Sequence, residues 1–193
     1  MKNLKQIIKE EYRKILQEQT QSGFIKTLKI RKVHGYFNCS DNYLTLLKGA
    51  PSSVGGGFYC DNNNLTSNLI GAPSSVGNNF YCSYNNLTSL QGAPSSIGGN
   101  FDCSYNNLTS LEGAPSSVDS GDFVCSDNEL TSLEGAPSSV GGFFYCYKNN
   151  LTSLEGAPSS VGRNFNCRSQ KNGIKFTEQD VRKVSDVEGS ILT

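Results

Sequence analysis

Asn79 to Val118 reads N-F-Y-C-S-Y-N-N-L-T-S-L-Q-G-A-P-S-S-I-G-G and then N-F-D-C-S-Y-N-N-L-T-S-L-E-G-A-P-S-S-V. Phenylalanine, cysteine, asparagine, leucine, a second leucine, proline and valine return in this order from about residue 33 to residue 167. A repeat of this length is one coil of a solenoid, because a single coil cannot bury its apolar side and gains a core only by stacking on its neighbours. Overlaid at Cys39, Cys60, Cys82, Cys103, Cys125, Cys146 and Cys167, the coils are 21, 22, 21, 22, 21 and 21 residues long. Two residues before each cysteine stands Phe37, Phe58, Phe80, Phe101, Phe123, Phe144 or Phe165. Side chains two apart on a strand point the same way, so each phenylalanine enters the core with its cysteine. Three residues after the cysteine come Asn42, Asn63, Asn85, Asn106, Asn128 and Asn149, and two further on Leu44, Leu65, Leu87, Leu108, Leu130 and Leu151. The seventh coil breaks the rule, with Gln170 and Asn172 in those places.

Phenylalanine, cysteine, asparagine and leucine together match L-x-L-x-x-N-x-L, the strand segment of a leucine-rich repeat. Over about 140 residues the chain resembles leucine-rich repeat proteins of the short bacterial and viral type, similar to the repeats of type III secreted effectors, whose N-x-L-T-S-L-P phrase is nearly N-N-L-T-S-L here. The resemblance implies a repeat solenoid: a leucine-rich-repeat-like parallel β stack with extended returns. The chain departs from the family at the first leucine, since Val54, Val76, Val140 and Val161 lie four residues before the phenylalanine. A parallel β-helix with three sides is the alternative. Gly-Ala-Pro-Ser-Ser, as at Gly92 to Ser96, excludes a helical return, because proline removes a donor and holds the preceding residue extended. Extra residues at Asn68 and around Asp119 to Gly121 account for the longer coils.

Both ends differ from the body. In residues 1 to 23, Leu4, Ile7, Ile8, Tyr12, Ile15 and Leu16 form one stripe at spacings of three and four, which predicts an amphipathic helix. It serves either as a cap on the first coil or as a docking helix. The solenoid is expected over 24–167 and a C-terminal cap over 168–193. In that cap, Thr177 and Asp180 predict a capping box opening a helix from Glu178 to about Ser185. Val187, Ile191 and Thr193 keep the spacing of Val161, Phe165 and Cys167, which predicts a last strand on an uncovered edge.

Seventeen basic and seventeen acidic residues cancel in total but not in place. Residues 1 to 35 hold nine basic and three acidic, residues 36 to 166 three and ten, and residues 167 to 193 five and four. An acidic body argues against nucleic acid as a partner. No apolar run approaches the roughly 20 residues of a membrane span. The opening M-K-N-L-K-Q-I-I-K-E-E lacks a secretory leader, so a cytoplasmic location is expected. The lysine-rich opening and near-identical repeats also resemble many phage-encoded proteins, which implies a virion-associated location as the alternative. The N-L-T tripeptides recur because the repeat does.

The residues bearing chemistry point away from catalysis. Stacked strands put the seven thiols in a column about 4.8 Å apart, wider than a disulfide's Cβ spacing, and the count is odd. With no C-x-x-C and a single histidine, His34, there is no zinc pattern, and the cysteines are expected as apolar filler. Neither a phosphate-binding glycine loop nor a paired nucleophile and base occurs, so no cofactor and no enzyme activity are expected. What remains are the outward positions of the strands. Tyr59, Tyr81, Asp102 and Tyr145 lie between phenylalanine and cysteine; Tyr147 follows a cysteine; Tyr84, Tyr105 and Lys148 come one place later. Together with Ser40, Asp61, Ser83, Ser104 and Ser126, these residues are expected to form adjacent columns on the inner, concave face. Tyrosine offers contact area and a hydrogen bond at small entropic cost, which suits a binding surface. It also favours strands for their own sake. Two functions follow: a noncatalytic module binding a protein partner through this face, or a self-assembling structural protein in which copies join end to end.

Overall fold

A computed structural model of the chain describes residues 32–193. The helix expected over residues 1–23, whether cap or docking element, lies outside the described residues, as do residues 24–31.

The phenylalanine of each coil opens a two-residue strand. Phe37–Asn38, Phe58–Tyr59, Phe80–Tyr81, Phe101–Asp102, Phe123–Val124, Phe144–Tyr145, Phe165–Asn166 and Ile191–Leu192 lie side by side in one eight-stranded parallel sheet. Phenylalanine pairs with phenylalanine throughout, and Ile191 takes the last place opposite Phe165. The register is pinned because a one-residue slip would turn every phenylalanine and cysteine out to solvent. The four rings from Phe58 to Phe123 stack at centroid separations of 5.4 Å and within 11° of parallel. That separation exceeds the strand spacing of about 4.8 Å, so the rings are offset in the arrangement their quadrupoles prefer.

The valine four places earlier makes a second row of strands. Lys32–Val33, Ser53–Val54, Ser75–Val76 and Ser96–Ile97 form one parallel sheet, and Ser139–Val140, Ser160–Val161 and Asp186–Val187 another. Val118 bridges to Val140. The row is interrupted between Ile97 and Val118, in the coil lengthened at Asp119 to Gly121. A small third sheet pairs Thr66–Ser67 with Asn86–Leu87, next to the extra Asn68. The protein is therefore a repeat solenoid of parallel β-strands with extended returns, and the departure at the valine is the part of the sequence that builds the second row.

Inside, columns of phenylalanine, cysteine, valine and two leucines run the length of the stack, the second leucine column being Leu47, Leu69, Leu90, Leu111, Leu133 and Leu154. The Gly-Ala-Pro corner is a tight turn in which the amide of Ala50 donates to the carbonyl of Leu47 at 3.0 Å, with Gly49 at φ +92°. A positive φ at the third residue of a turn is the type II geometry, which glycine adopts without steric cost. The same bond and the same glycine recur at Ala72, Ala93, Ala114, Ala136 and Ala157. After proline, a serine hydroxyl of one coil donates to the serine carbonyl of the coil before, as from Ser159 to Ser138 at 2.9 Å.

At the C-terminal end, helix α1 spans Glu178–Arg182, opened by the Thr177–Asp180 capping box expected from the sequence, with Val181 buried. Asp186–Val187 and Ile191–Leu192 then pair with Ser160–Val161 and Phe165–Asn166 as the spacing predicts.

Candidate functional site

The asparagine of each coil holds the sheet's corner. Asn106 Nδ2 donates to the carbonyls of Cys82 and Cys103, both at 3.1 Å, and its Oδ1 accepts from the amide of Leu87 at 2.9 Å. One side chain thus ties its own coil to the preceding one at two points. Asn63, Asn85, Asn128 and Asn149 make the same set of bonds. Asn42, in the first coil, bonds the carbonyl of Ser40. The seventh coil does not break this rule, contrary to the sequence expectation. Gln170 Oε1 accepts from Leu151 at 3.1 Å, and its Nε2 donates to the carbonyls of Cys146 at 3.3 Å and Cys167 at 2.7 Å. The amide group, and not the residue type, is what the corner requires.

All seven cysteines are free and buried. Burial pushes their thiols up, Cys39 to about 12 and Cys167 to about 11. Protonated thiols packed in a column are poor nucleophiles and poor ligands, and the weak sulfur contacts they make run to backbone carbonyls of the next coil, as from Cys103 to Val124. Among the described residues no group of three or more histidine, cysteine, aspartate or glutamate side chains is placed to hold a metal ion. No helix of the described residues is long and apolar enough to cross a membrane.

The outward side of the phenylalanine sheet is where aromatic and acidic residues gather. Tyr59, Tyr81, Asp102, Tyr145 and Tyr147 are half-buried, and Tyr84, Tyr105 and Lys148 are exposed. Tyr59 meets Tyr81 edge-on at 5.3 Å. Tyr84 and Tyr105 stack at 4.2 Å, both in left-handed backbone at the turn after the strand. Further along, Tyr145 packs on Phe143 at 5.4 Å and edge-on to Tyr147 at 6.2 Å. The serines expected among these columns are not part of the accessible surface. Ser40, Ser83, Ser104 and Ser126 are buried. Ser104 instead donates its hydroxyl, at 2.6 Å, and its amide, at 2.9 Å, to the carboxylate of Asp102.

A second polar ladder, absent from the sequence reading, runs beside this face at the position before phenylalanine. Asn79 Oδ1 accepts from the amide of Asn100, Asn100 from Asp122, and Asp122 from Phe143, each at 2.9 Å. Asn79 also donates to the Tyr81 hydroxyl at 3.2 Å. The signal was available: asparagine or aspartate stands before phenylalanine at positions 79, 100, 122 and 164.

The electrostatics of the face follow from partial burial. Desolvation holds the Asp102 carboxyl above its ordinary value, against the bonds from Ser104 that favour its charge. Desolvation likewise raises the Tyr81 and Tyr145 hydroxyls. Tyr105 is pushed up to about 12, first by its bond to Tyr84 and then by the charge of Asp127. Lys148 lies 3.4 Å from Asp127. The arrangement offers hydrogen bonding, aromatic contact and negative charge.

Set against known proteins, the chain matches no protein-family model and no curated protein.

Proposed function

We propose that the protein is a noncatalytic binding module, with the outward columns of the phenylalanine sheet as the surface that holds a protein partner. The observation that carries this reading is the concentration of Tyr59, Tyr81, Tyr84, Tyr105, Tyr145 and Tyr147 with Asp102 and Lys148 on one face of a rigid stack. Side chains already packed against one another lose little freedom when a partner arrives, which is the preorganisation that strengthens binding. The resemblance to short leucine-rich repeats agrees with it. Capture on immobilised protein tests it. A partner retained by the wild type and by a Glu134→Gln variant of the opposite side, but lost with Tyr81→Ala and Tyr84→Ala together, supports the reading. Identical capture by all three refutes it.

A second reading, assembly of copies end to end, is favoured by one observation. Ile191–Leu192 is the outermost strand of its sheet, and its Leu192 is exposed. Light scattering behind size exclusion separates the two, since a monomer mass of 20.9 kDa at every concentration removes the assembly reading.

A further inference from the structure

The aromatic face is electrically divided. At its C-terminal end two rings are covered by the chain's own cations: Arg163 lies 5.4 Å from the Phe143 centroid, and Lys148 lies 5.8 Å from that of Tyr147. These distances are within cation–π range. In the five strands from Phe37–Asn38 to Phe123–Val124, the same outward positions carry Tyr59, Tyr81, Tyr84 and Tyr105 together with Asp41, Asp61, Asp102 and Asp122, and Asp127 at the boundary is paired with Lys148. No lysine or arginine occupies any of those positions before Lys148. Tyr84 is 55% exposed, stacked on Tyr105 on one side and followed in the preceding coil by the small Asn62 on the other. Asp102 is half-buried and receives its hydrogen bonds from Ser104, a neutral partner.

We propose that this acidic, aromatic part of the sheet docks an extended lysine- and arginine-rich segment of a partner protein. The cations of that segment take the places over the tyrosine rings and beside the carboxylates that Arg163 and Lys148 take within the chain itself. The spacing adds a constraint. In the column two residues after the cysteine, Asp41 and Tyr84 are two coils apart, about 9.6 Å at the usual strand separation of about 4.8 Å. Three residues of polyproline II rise about 9.3 Å, so an extended segment lying across the strands presents a cation every third residue in step with every second coil. The inference rests on the binding-module reading and gives its partner a chemistry.

The test is fluorescence polarisation of labelled nonapeptides against the full chain. One probe carries Arg-Ser-Pro three times, one replaces arginine by glutamate, and one has the arginine probe's composition with the arginines contiguous. The periodic arginine peptide is expected to bind best and to weaken with salt. Asp61→Asn with Asp102→Asn is expected to weaken it about tenfold, and Tyr84→Leu about threefold, as exposed ion pairs and cation–π contacts do. Asparagine already stands at the Asp102 position as Asn38 and Asn166, and the Asp61 position holds serine, tyrosine or arginine in the other coils, so the double variant retains the fold; Tyr84→Leu is a surface change that serves as the independent check. Equal binding of the glutamate peptide, equal binding of the clustered peptide, or no binding of the periodic one overturns the proposal. Tighter binding by a peptide of this chain's residues 1–31 would replace the partner protein by a second copy and overturn it too. If the periodic peptide fails while the tyrosine variants still lose the captured partner, the cationic segment falls and the binding module stands.

Discussion

Replacing Asn106 by alanine removes the amide that ties the third and fourth phenylalanine strands together. One backbone group loses its partner, the amide of Leu87, and the carbonyls of Cys82 and Cys103 each lose one of two donors, since Asn85 still donates to the first and Asn128 to the second. Asn106 also lies 3.1 Å from the Ser104 carbonyl, but an amide nitrogen has only two hydrogens, so two acceptors are counted. A buried polar group left unsatisfied costs about 1–3 kcal/mol. The side chain is 6% exposed, so water reaches part of the corner and the lower half of that range applies. With about 0.5 kcal/mol for each of the two donor bonds whose acceptors keep a second partner, the expected loss is roughly 2–3 kcal/mol in total, in the upper part of what single substitutions do. Asn107→Ala, one residue away on an exposed position, is the matched control and should stay within about 0.5 kcal/mol. Urea unfolding followed by circular dichroism measures both, and Asn106→Gln is informative beside them. Gln170 already performs this task in the last coil, so glutamine should recover part of the loss. Asn106→Asp, by contrast, would keep an acceptor for the Leu87 amide but set its other carboxylate oxygen against two carbonyls, a repulsion that offsets that bond. A loss below about 1 kcal/mol for Asn106→Ala would refute the stitching role, because a single net hydrogen bond accounts for that much.

The remaining predictions concern other columns. Thiol labelling of the native protein at mildly alkaline pH should be slow at every cysteine and fastest at Cys167 and Cys39, in the terminal coils, with all seven reacting in urea; fast labelling of Cys103 would contradict its burial. Gly77→Ala should cost several kcal/mol, roughly the overpacking range or above it, because an added methyl would overlap the Gly55 carbonyl oxygen, which is backbone and cannot swing aside; an unchanged melting temperature would show that the stacking at this corner is looser than described. Asp102→Asn should raise the melting temperature at neutral pH. The folded-state value of Asp102 is raised by desolvation, so the wild type gives up stability as pH rises from the unfolded value through the folded one. The gain from asparagine should therefore vanish in acid and level off above that window, and a gain that grows in acid would reverse the sign.

Much of the fold was legible because the sequence repeats its own register. Phenylalanine and cysteine two apart, asparagine three on and leucine two further define the strand, the corner and the inward face. Thr177 and Asp180 announced α1, and Val187 and Ile191 announced the last strands. What escaped depends on contacts between coils and not within one. Gln170 looked like a failure because its residue type differs, although a slightly longer side chain delivers the same amide to the same carbonyls. The buried serines were misplaced because alternation decides which way a side chain points, while the sizes of its neighbours decide whether water reaches it. The ladder from Asn79 to Asp122 was overlooked because it adjoins the glycine corner, where the residues change most from coil to coil.

That contrast separates scaffold from surface. Positions that recur from coil to coil, such as Phe58 to Phe165, the buried cysteines and the corner amides, are those where every coil meets the same neighbours above and below, and a change in one coil strands a group in the coil before, as loss of the Asn106 amide does to Leu87. The outward column between phenylalanine and cysteine obeys no such constraint, since it reads Asn38, Tyr59, Tyr81, Asp102, Val124, Tyr145, Asn166. Packing alone would be served by one β-branched or aromatic residue repeated in every coil. The column instead places a half-buried carboxylate at Asp102, which costs stability, between a run of tyrosines and a stretch that supplies its own cations. A residue that weakens the stack at a position free to vary is the kind of departure that binding sites show. Asp102 is therefore where a partner's positive charge would recover the most from the protein's own electrostatics.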